Sequence, residues 1–159
     1  MDSREFRNAL GQFPTGICLI TVNDDDLGPL ALTANSFASV SLAPALVMWS
    51  IQNNSEVFSE YTECEYFGIS MLAASHESVS NRYARRGEHA IETTDFDITE
   101  LGVPLLKEAL VNFSCRLETL YRAGDHHIVL AEVVAMSTRE GAPLVFAKGT
   151  YDSLQSHAG

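Results

Sequence analysis

Residues 109–122 read ALVNFSCRLETLYR, and their side chains alternate. The odd positions Ala109, Val111, Phe113, Cys115, Leu117 and Tyr121 are mainly apolar, while Asn112, Ser114, Arg116, Glu118 and Arg122 are polar. Successive side chains of a strand point to opposite faces, so this period of two predicts a long strand with one face buried. The segment AGD then turns the chain into HHIVLAEVVAMS, which is apolar on both faces, and REGA turns it into PLVFAKGTYDSL. Strands joined by tight turns pair antiparallel, whereas a parallel pair needs a crossover of a dozen or more residues. The last third therefore commits the chain to an antiparallel β architecture.

The first two thirds agree. GICLITV (16–22) is a buried strand, NDDDLGP a turn, LALTANSFASVS a second strand and ALVMWSI a third. YFGISML (66–72) is a fourth. Helices are short and peripheral. SREFRNALGQF places Phe6, Leu10 and Phe13 at helical spacing, with Ser3 as N-cap. SEVFSEY begins with Ser55 as N-cap and Glu56 near the positive end of the dipole. SHESVSNRYARRG is a polar helix ending at Gly87, and residues 88–103 form a loop or flap. About seven strands with two or three short helices predict a mainly β fold, a Greek-key-like antiparallel barrel, as one domain over residues 1–159.

Composition narrows the function. The net charge of -11 repels a phosphate polymer, which argues against nucleic acid. No apolar run is long enough to span a membrane, and the charged start MDSREFRNAL lacks the apolar core of a secretory leader, so a cytoplasmic protein is expected. Cys18, Cys64 and Cys115 are far apart and form no metal-ligand pattern; Cys18 and Cys115 read as buried small hydrophobes. No metal site is expected.

No catalytic signature such as GxSxG, HExxH or GxGxxG is present. That suits chemistry carried by a bound cofactor. Thr33 to Ser36 put hydroxyl, amide and backbone groups at one end of an apolar sheet, where they can bond the edge of a heteroaromatic ring. SIQNNS (50–55) opens a helix and offers a phosphate seat, to which Arg82 would add a cation. On composition alone the plainer alternative is favoured, a solvated strand face with Asn35 starting a turn. Thr33 and Asn35 share one strand face and Ser36 takes the other, so a kink or a second copy must reconcile them. Ser39 and Ser41 read as structural. In GDHHIVL the plainer reading is turn chemistry, with Gly124 supplying backbone freedom and Asp125 the cap; the alternative is that His126, at a barrel rim, contacts an incoming ligand. His126 and His127 point to opposite faces and make a poor metal pair. His76, His89 and His157 lie in polar segments and are expected to be exposed.

The stretches ALGQFPTGICLITV, LTANSFASVSLAPALV, YFGISML, GDHHIVLAEV and PLVFAKGTYDSL together resemble the successive motifs of the short-chain flavin reductases, in order, from Phe6 to Leu154. These are FMN-binding split-barrel proteins, the reductase components of two-component flavin monooxygenases. The resemblance implies a split-barrel homodimer with FMN near the subunit interface. It implies that Thr33, Ala34, Asn35 and Ser36 lie along the isoalloxazine, and that Ser50, Ile51, Gln52 and Ser55 hold the ribityl chain and phosphate. Ser70 to Leu72 would pack nearby, Tyr151 would approach from the closing strand, and Gly124, Asp125 and His126 would meet the nicotinamide. Ala43 and Ala45 stand where the family often has Asp and Pro. SIQNNSEVF is poorer in serine and basic residues than is usual, which implies weaker phosphate binding or a larger part for Arg82. The segment HAIETTDFDITELG falls in the family's variable, substrate-side region.

The resemblance thus implies an NAD(P)H-dependent flavin reductase that moves hydride from nicotinamide C4 to flavin N5, with FMN or FAD as the flavin and a monooxygenase as a possible partner. His126 would tune that step. Two alternatives stay open: an FMN-binding electron carrier or sensor without NAD(P)H activity, and a non-flavin barrel that is either a structural dimer module or a binder of a different ring compound.

Overall fold

The computed structural model describes residues 1–154. His157 lies outside the described residues. In chain order the elements are α1 (Ser3–Leu10), β1 (Thr15–Gly16), β2 (Cys18–Asp24), β3 (Gly28–Ala34), β4 (Ala38–Leu42) and β5 (Ala45–Gln52). Then come α2 (Phe58–Thr62), β6 (Tyr66–Met71), α3 (Glu77–Tyr83), β7 (Phe96–Ile98) and β8 (Pro104–Leu106). The chain finishes with β9 (Val111–Ala123), β10 (His126–Thr138), β11 (Leu144–Ala147) and β12 (Thr150–Ser153).

Seven strands form the main sheet in the order β3-β2-β6-β9-β10-β5-β4, and every pairing is antiparallel. The two edge strands, β3 and β4, are consecutive in the chain, with only Asn35, Ser36 and Phe37 between them. Laid flat, seven strands at about 4.8 Å spacing would separate the edges by roughly 29 Å. The linker from Ala34 to Ala38 reaches at most about 14 Å. The sheet must therefore curl until its edges meet at this end, which gives a barrel split along the β3–β4 seam. The polar run that reads as one strand is thus two strands and a kink.

The interior explains the unpatterned runs. β2 is buried on both faces: Cys18, Ile20 and Val22 enter the barrel core with Trp49, Tyr61 and Phe67, while Leu19, with Ile17 just before the strand, joins a second core with Leu72, Tyr83, Phe96 and Leu106. Trp49 meets Tyr61 and Phe67 edge-on at 5.7 and 6.1 Å, and Tyr61 donates to the Ile20 carbonyl at 2.8 Å. Such edge-to-face rings add about 0.5–1.5 kcal/mol each beyond the area they bury.

Several local expectations change. The N-cap of α1 is Asp2, not Ser3: its carboxylate accepts from Arg4 N at 2.7 Å and Glu5 N at 3.0 Å. Phe6, Leu10 and Phe13 stay exposed. Ser55 does not cap α2, which starts at Phe58, and α3 stops at Tyr83 rather than at Gly87. Gly87 instead makes a separate turn at φ +77°. Residues 88–103 are not an open loop, because β7 pairs with β8 and the buried Ile91, Phe96 and Val103 seat this flap on the sheet. The flap covers the polar face of β9, so Asn112 and Ser114 are buried. Ser70 donates to Asn112 Oδ1 at 2.6 Å, Asn112 Nδ2 donates to the Leu106 carbonyl at 2.9 Å, and Leu106 N donates back to Ser70 at 3.2 Å. The alternation of β9 also shifts at Glu118, which has no opposite number in β10. An extra residue flips every later side chain, so Leu120 packs on the core and Tyr121 is exposed. PLVFAKGTYDSL is a hairpin, β11–β12, that extends β1. His76 is buried, and its Nδ1 accepts from Ala73 N at 3.1 Å.

Candidate functional site

A cleft of about 470 Å³ opens at the seam. One wall is the end of β3 and the kink: Thr33, Ala34, Asn35 and Ser36. A second is the end of β5, Ser50, Ile51 and Gln52, running into Asn54, Ser55 and Glu56. The turn after α3 closes the far side with Arg85 and Arg86, joined by His89, and His126 stands at the start of β10. Nine of the predicted positions thus meet in one place, because the curl brings strands 2 and 3 of the sequence reading to the same end of the sheet.

The hydroxyls are not all free. Ser36 Oγ accepts from Ser50 N at 3.0 Å and donates to the Ser50 carbonyl at 3.3 Å, so it ties the kink to β5. Thr33 Oγ1 donates to the Ser80 carbonyl at 2.7 Å and ties β3 to α3. The Asn35 amide makes no hydrogen bond among the described residues. It remains the open polar group of this wall.

His126 Nδ1 donates to Asp125 Oδ1 at 2.7 Å. That bond holds the Asp125 carboxyl below the ordinary carboxylate range. Asn53 fixes the turn that carries the pair. Its N–H donates to the Asp125 carbonyl at 2.9 Å, its amide nitrogen donates to the Gly124 carbonyl at 3.2 Å, and its amide oxygen lies 2.7 Å from His127 Nδ1. Gly124 itself sits at φ +66°, a conformation that favours glycine. His127 turns away from the cleft and stacks edge-on with Phe58 at 5.1 Å.

Five predicted positions do not line the cleft. Gly124 and Asp125 lie outside its lining, in the turn that carries His126. Leu72 lines a separate apolar pocket of about 210 Å³, which shares Asn35 with the cleft. Arg82 is held by Glu92 at 2.9 Å and lies over the Tyr83 ring. Tyr151 bonds Ser80 Oγ at 2.8 Å and Asn81 at 3.3 Å, behind the α3 wall. The cations of the cleft are Arg85 and Arg86, which follow Arg82 in the same ARRG signal. His89, expected to be exposed, is tucked in: its Nδ1 donates to the Ala31 carbonyl at 3.1 Å and Nε2 lies 3.5 Å from Glu56.

The volume suits a small-molecule site. Neutral hydrogen-bonding groups at the seam and two guanidiniums at the opposite end suit a flat heteroaromatic ring with an anionic tail. Among the described residues, no group of three or more His, Cys, Asp and Glu side chains could hold a metal ion. No helix among them is long and apolar enough to cross a membrane.

Comparison with known proteins gives this cleft its context. The family model described as "Flavin reductase like domain" matches residues 10–155. The FMN reductase (NADH) SmoA of Agrobacterium fabrum is 41% identical over 150 residues, which covers 94% of this chain and 85% of that protein. The reductase component of the flavin-dependent trigonelline monooxygenase of Acinetobacter baylyi is 36% identical over 93% of this chain, and the chain spans 48% of that longer protein. Among solved structures, the NADH:FAD oxidoreductase SgcE6 of Streptomyces globisporus, in complex with NAD and FAD fragments, superposes with a TM-score of 0.91. It is 31% identical and covers 99% of this chain and 96% of that one. On the sequence match and the shared split-barrel fold alike, the chain belongs to the flavin reductase like domain family.

Proposed function

We infer that this chain is an NAD(P)H-dependent flavin reductase that supplies reduced flavin to a monooxygenase component. The observation that carries this is the seam cleft, which joins a neutral polar edge to a cationic end in a chain of this family. Asn35, Ser36 and Ser50 flank the flavin ring, Ser55, Arg85 and Arg86 hold the phosphate end, and His126 meets the nicotinamide at the rim. Bound there, a flavin would supply N5 as the acceptor of hydride from nicotinamide C4. The protein needs no proton donor for that transfer. Its contribution is to hold two rings in contact and to aim N–H groups where negative charge develops. Asp125 orients the His126 ring through Nδ1 and leaves Nε2 for the ligand.

The chain acts as a homodimer in the cytoplasm. The support for a dimer is the edge strand β4, which leaves Val40 and Leu42 exposed beside the seam.

The test is oxidation of NADH and of NADPH by the purified protein, with and without added FMN. Turnover that requires FMN is expected, and His126→Ala should raise KM for the nicotinamide nucleotide with flavin affinity retained. No turnover with either nucleotide would overturn the reading. Flavin binding would then separate an electron carrier from a barrel with an unrelated ligand.

A further inference from the structure

We propose that Glu56 is a specificity residue: a carboxylate built into the cationic end of the cleft that weakens the hold on a terminal phosphate monoester, and so discriminates against FMN relative to the same flavin without its phosphate. The proposal rests on the flavin-reductase reading above.

Three groups converge on Glu56. Gly87 N donates to its Oε2 at 2.7 Å, His89 Nε2 lies 3.5 Å from the same oxygen, and Arg86 Nε lies 3.6 Å from Oε1. Two of these would otherwise receive an anion, the backbone N–H and the guanidinium; the His89 ring proton at Nδ1 goes to the Ala31 carbonyl. Arg85 makes no ion pair among the described residues. The remaining neighbours, Asn54 and Ser55, are neutral.

A phosphate monoester carries about -1.5 to -2 charges at neutral pH. To reach Arg86 and the Gly87 N–H it must displace the Glu56 carboxylate or sit beside it. Either way like charges oppose each other at a range where salt screens them only in part. The net charge of -11 gives the anion no help from the rest of the molecule. A flavin without the phosphate does not meet this opposition, and a dinucleotide, whose pyrophosphate carries about one charge on each phosphate, meets less of it at either one. Glu56 is therefore a built-in competitor for the cations of its own site.

The experiment measures the dissociation constants of riboflavin, FMN and FAD by fluorescence quenching. Glu56→Gln keeps an oxygen to accept from Gly87 N and removes the charge. It should tighten FMN about tenfold, leave riboflavin nearly unchanged, and move FAD by less than FMN. Glu56→Ala, which gives up the Gly87 contact as well, should show the same phosphate-specific gain. Glu60→Gln removes an equal charge from α2, where the side chain lines a different groove, and should leave the FMN to riboflavin ratio alone. In the unmodified protein, where the carboxylate offsets one of the two guanidiniums, that ratio should change less with salt than it does in Glu56→Gln.

An equal shift of riboflavin and FMN in Glu56→Gln, weaker FMN binding, or a gain matched by Glu60→Gln would overturn the proposal while leaving the flavin site standing. So would a loss of FMN affinity with salt in the unmodified protein as steep as in Glu56→Gln, because the carboxylate would then offset nothing. An unmodified protein that binds none of the three flavins removes the flavin-reductase reading and this inference together.

Discussion

At the scale of single residues, the molecule spends side chains on holding its seam. Ser36 and Thr33 both use their hydroxyls inside the protein, and Asn53 makes three bonds to the turn that presents His126. Buried thiols make a separate, measurable contribution. Burial pushes Cys18 and Cys115 up to about 12 and Cys64 up to about 11, from an ordinary thiol value of 9.0. The Tyr61 phenol is raised for the same reason. In the unfolded chain these thiols ionise near pH 9, while the folded chain keeps its protons. The unfolded state then binds fewer protons, so stability falls as pH rises. The contribution is complete below about pH 9 and is lost progressively through the folded values, so the urea midpoint should drop between pH 8 and pH 11. Cys18→Ala with Cys115→Ala should flatten that drop, and an unchanged slope would assign it to other groups.

At the scale of elements, the flap of β7 and β8 is held by close approach as much as by area. Thr21 Oγ1 donates to the Pro104 carbonyl, and Gly68 in β6 lies directly beneath that contact. A methyl group at Gly68 would come within 2.8 Å of both the Pro104 carbonyl oxygen and Leu105 Cδ2, and closer still to Thr21 Oγ1. Backbone cannot give way as a flexible side chain can. Gly68→Ala should cost about 1–3 kcal/mol, as overpacking a tight core does. Hydrogen exchange should speed up in residues 96–106 first. A variant with native stability and native flap protection would show that the flap is free to shift. The bulge at Glu118 shows the same principle in another form: one residue resets the facing of everything after it in β9.

At the scale of the whole molecule, the covalent link between the two edge strands dictates the shape. Three residues join strands that lie at opposite ends of the sheet order, so curling is obligatory and the cleft forms where the edges meet. The exposed edge strand β4 is the complement of that closure. Leu42 is 97% exposed, more than an isolated chain gains from, and it sits beside Val40 on a strand with one free edge. In solution the protein should sediment at twice 17.4 kDa. Leu42→Asp should shift it toward the monomer and weaken FMN binding with it. A monomeric unmodified protein would remove the dimer from the functional reading.

The sequence alone determined the β class, the succession of the long strands along the chain and the polar end of the sheet. These depend on local pattern: period two in β9, Gly124 at its turn, and the unbroken apolar run of a strand buried on both faces. The polar lining positions Thr33, Asn35, Ser36, Ser50, Gln52 and Ser55 are legible as breaks in an apolar pattern, while Ala34 and Ile51 follow only from the family resemblance. The tertiary structure decided which charges serve the site. Arg82, Arg85 and Arg86 are alike in sequence, but the end of α3 at Tyr83 sends Arg82 to Glu92 and turns the next two toward the cleft. Glu56 and His89 are 33 positions apart and become neighbours only through the curl and the turn at Gly87. Pattern reports which face a residue occupies; only the closed shape decides what lies across from it.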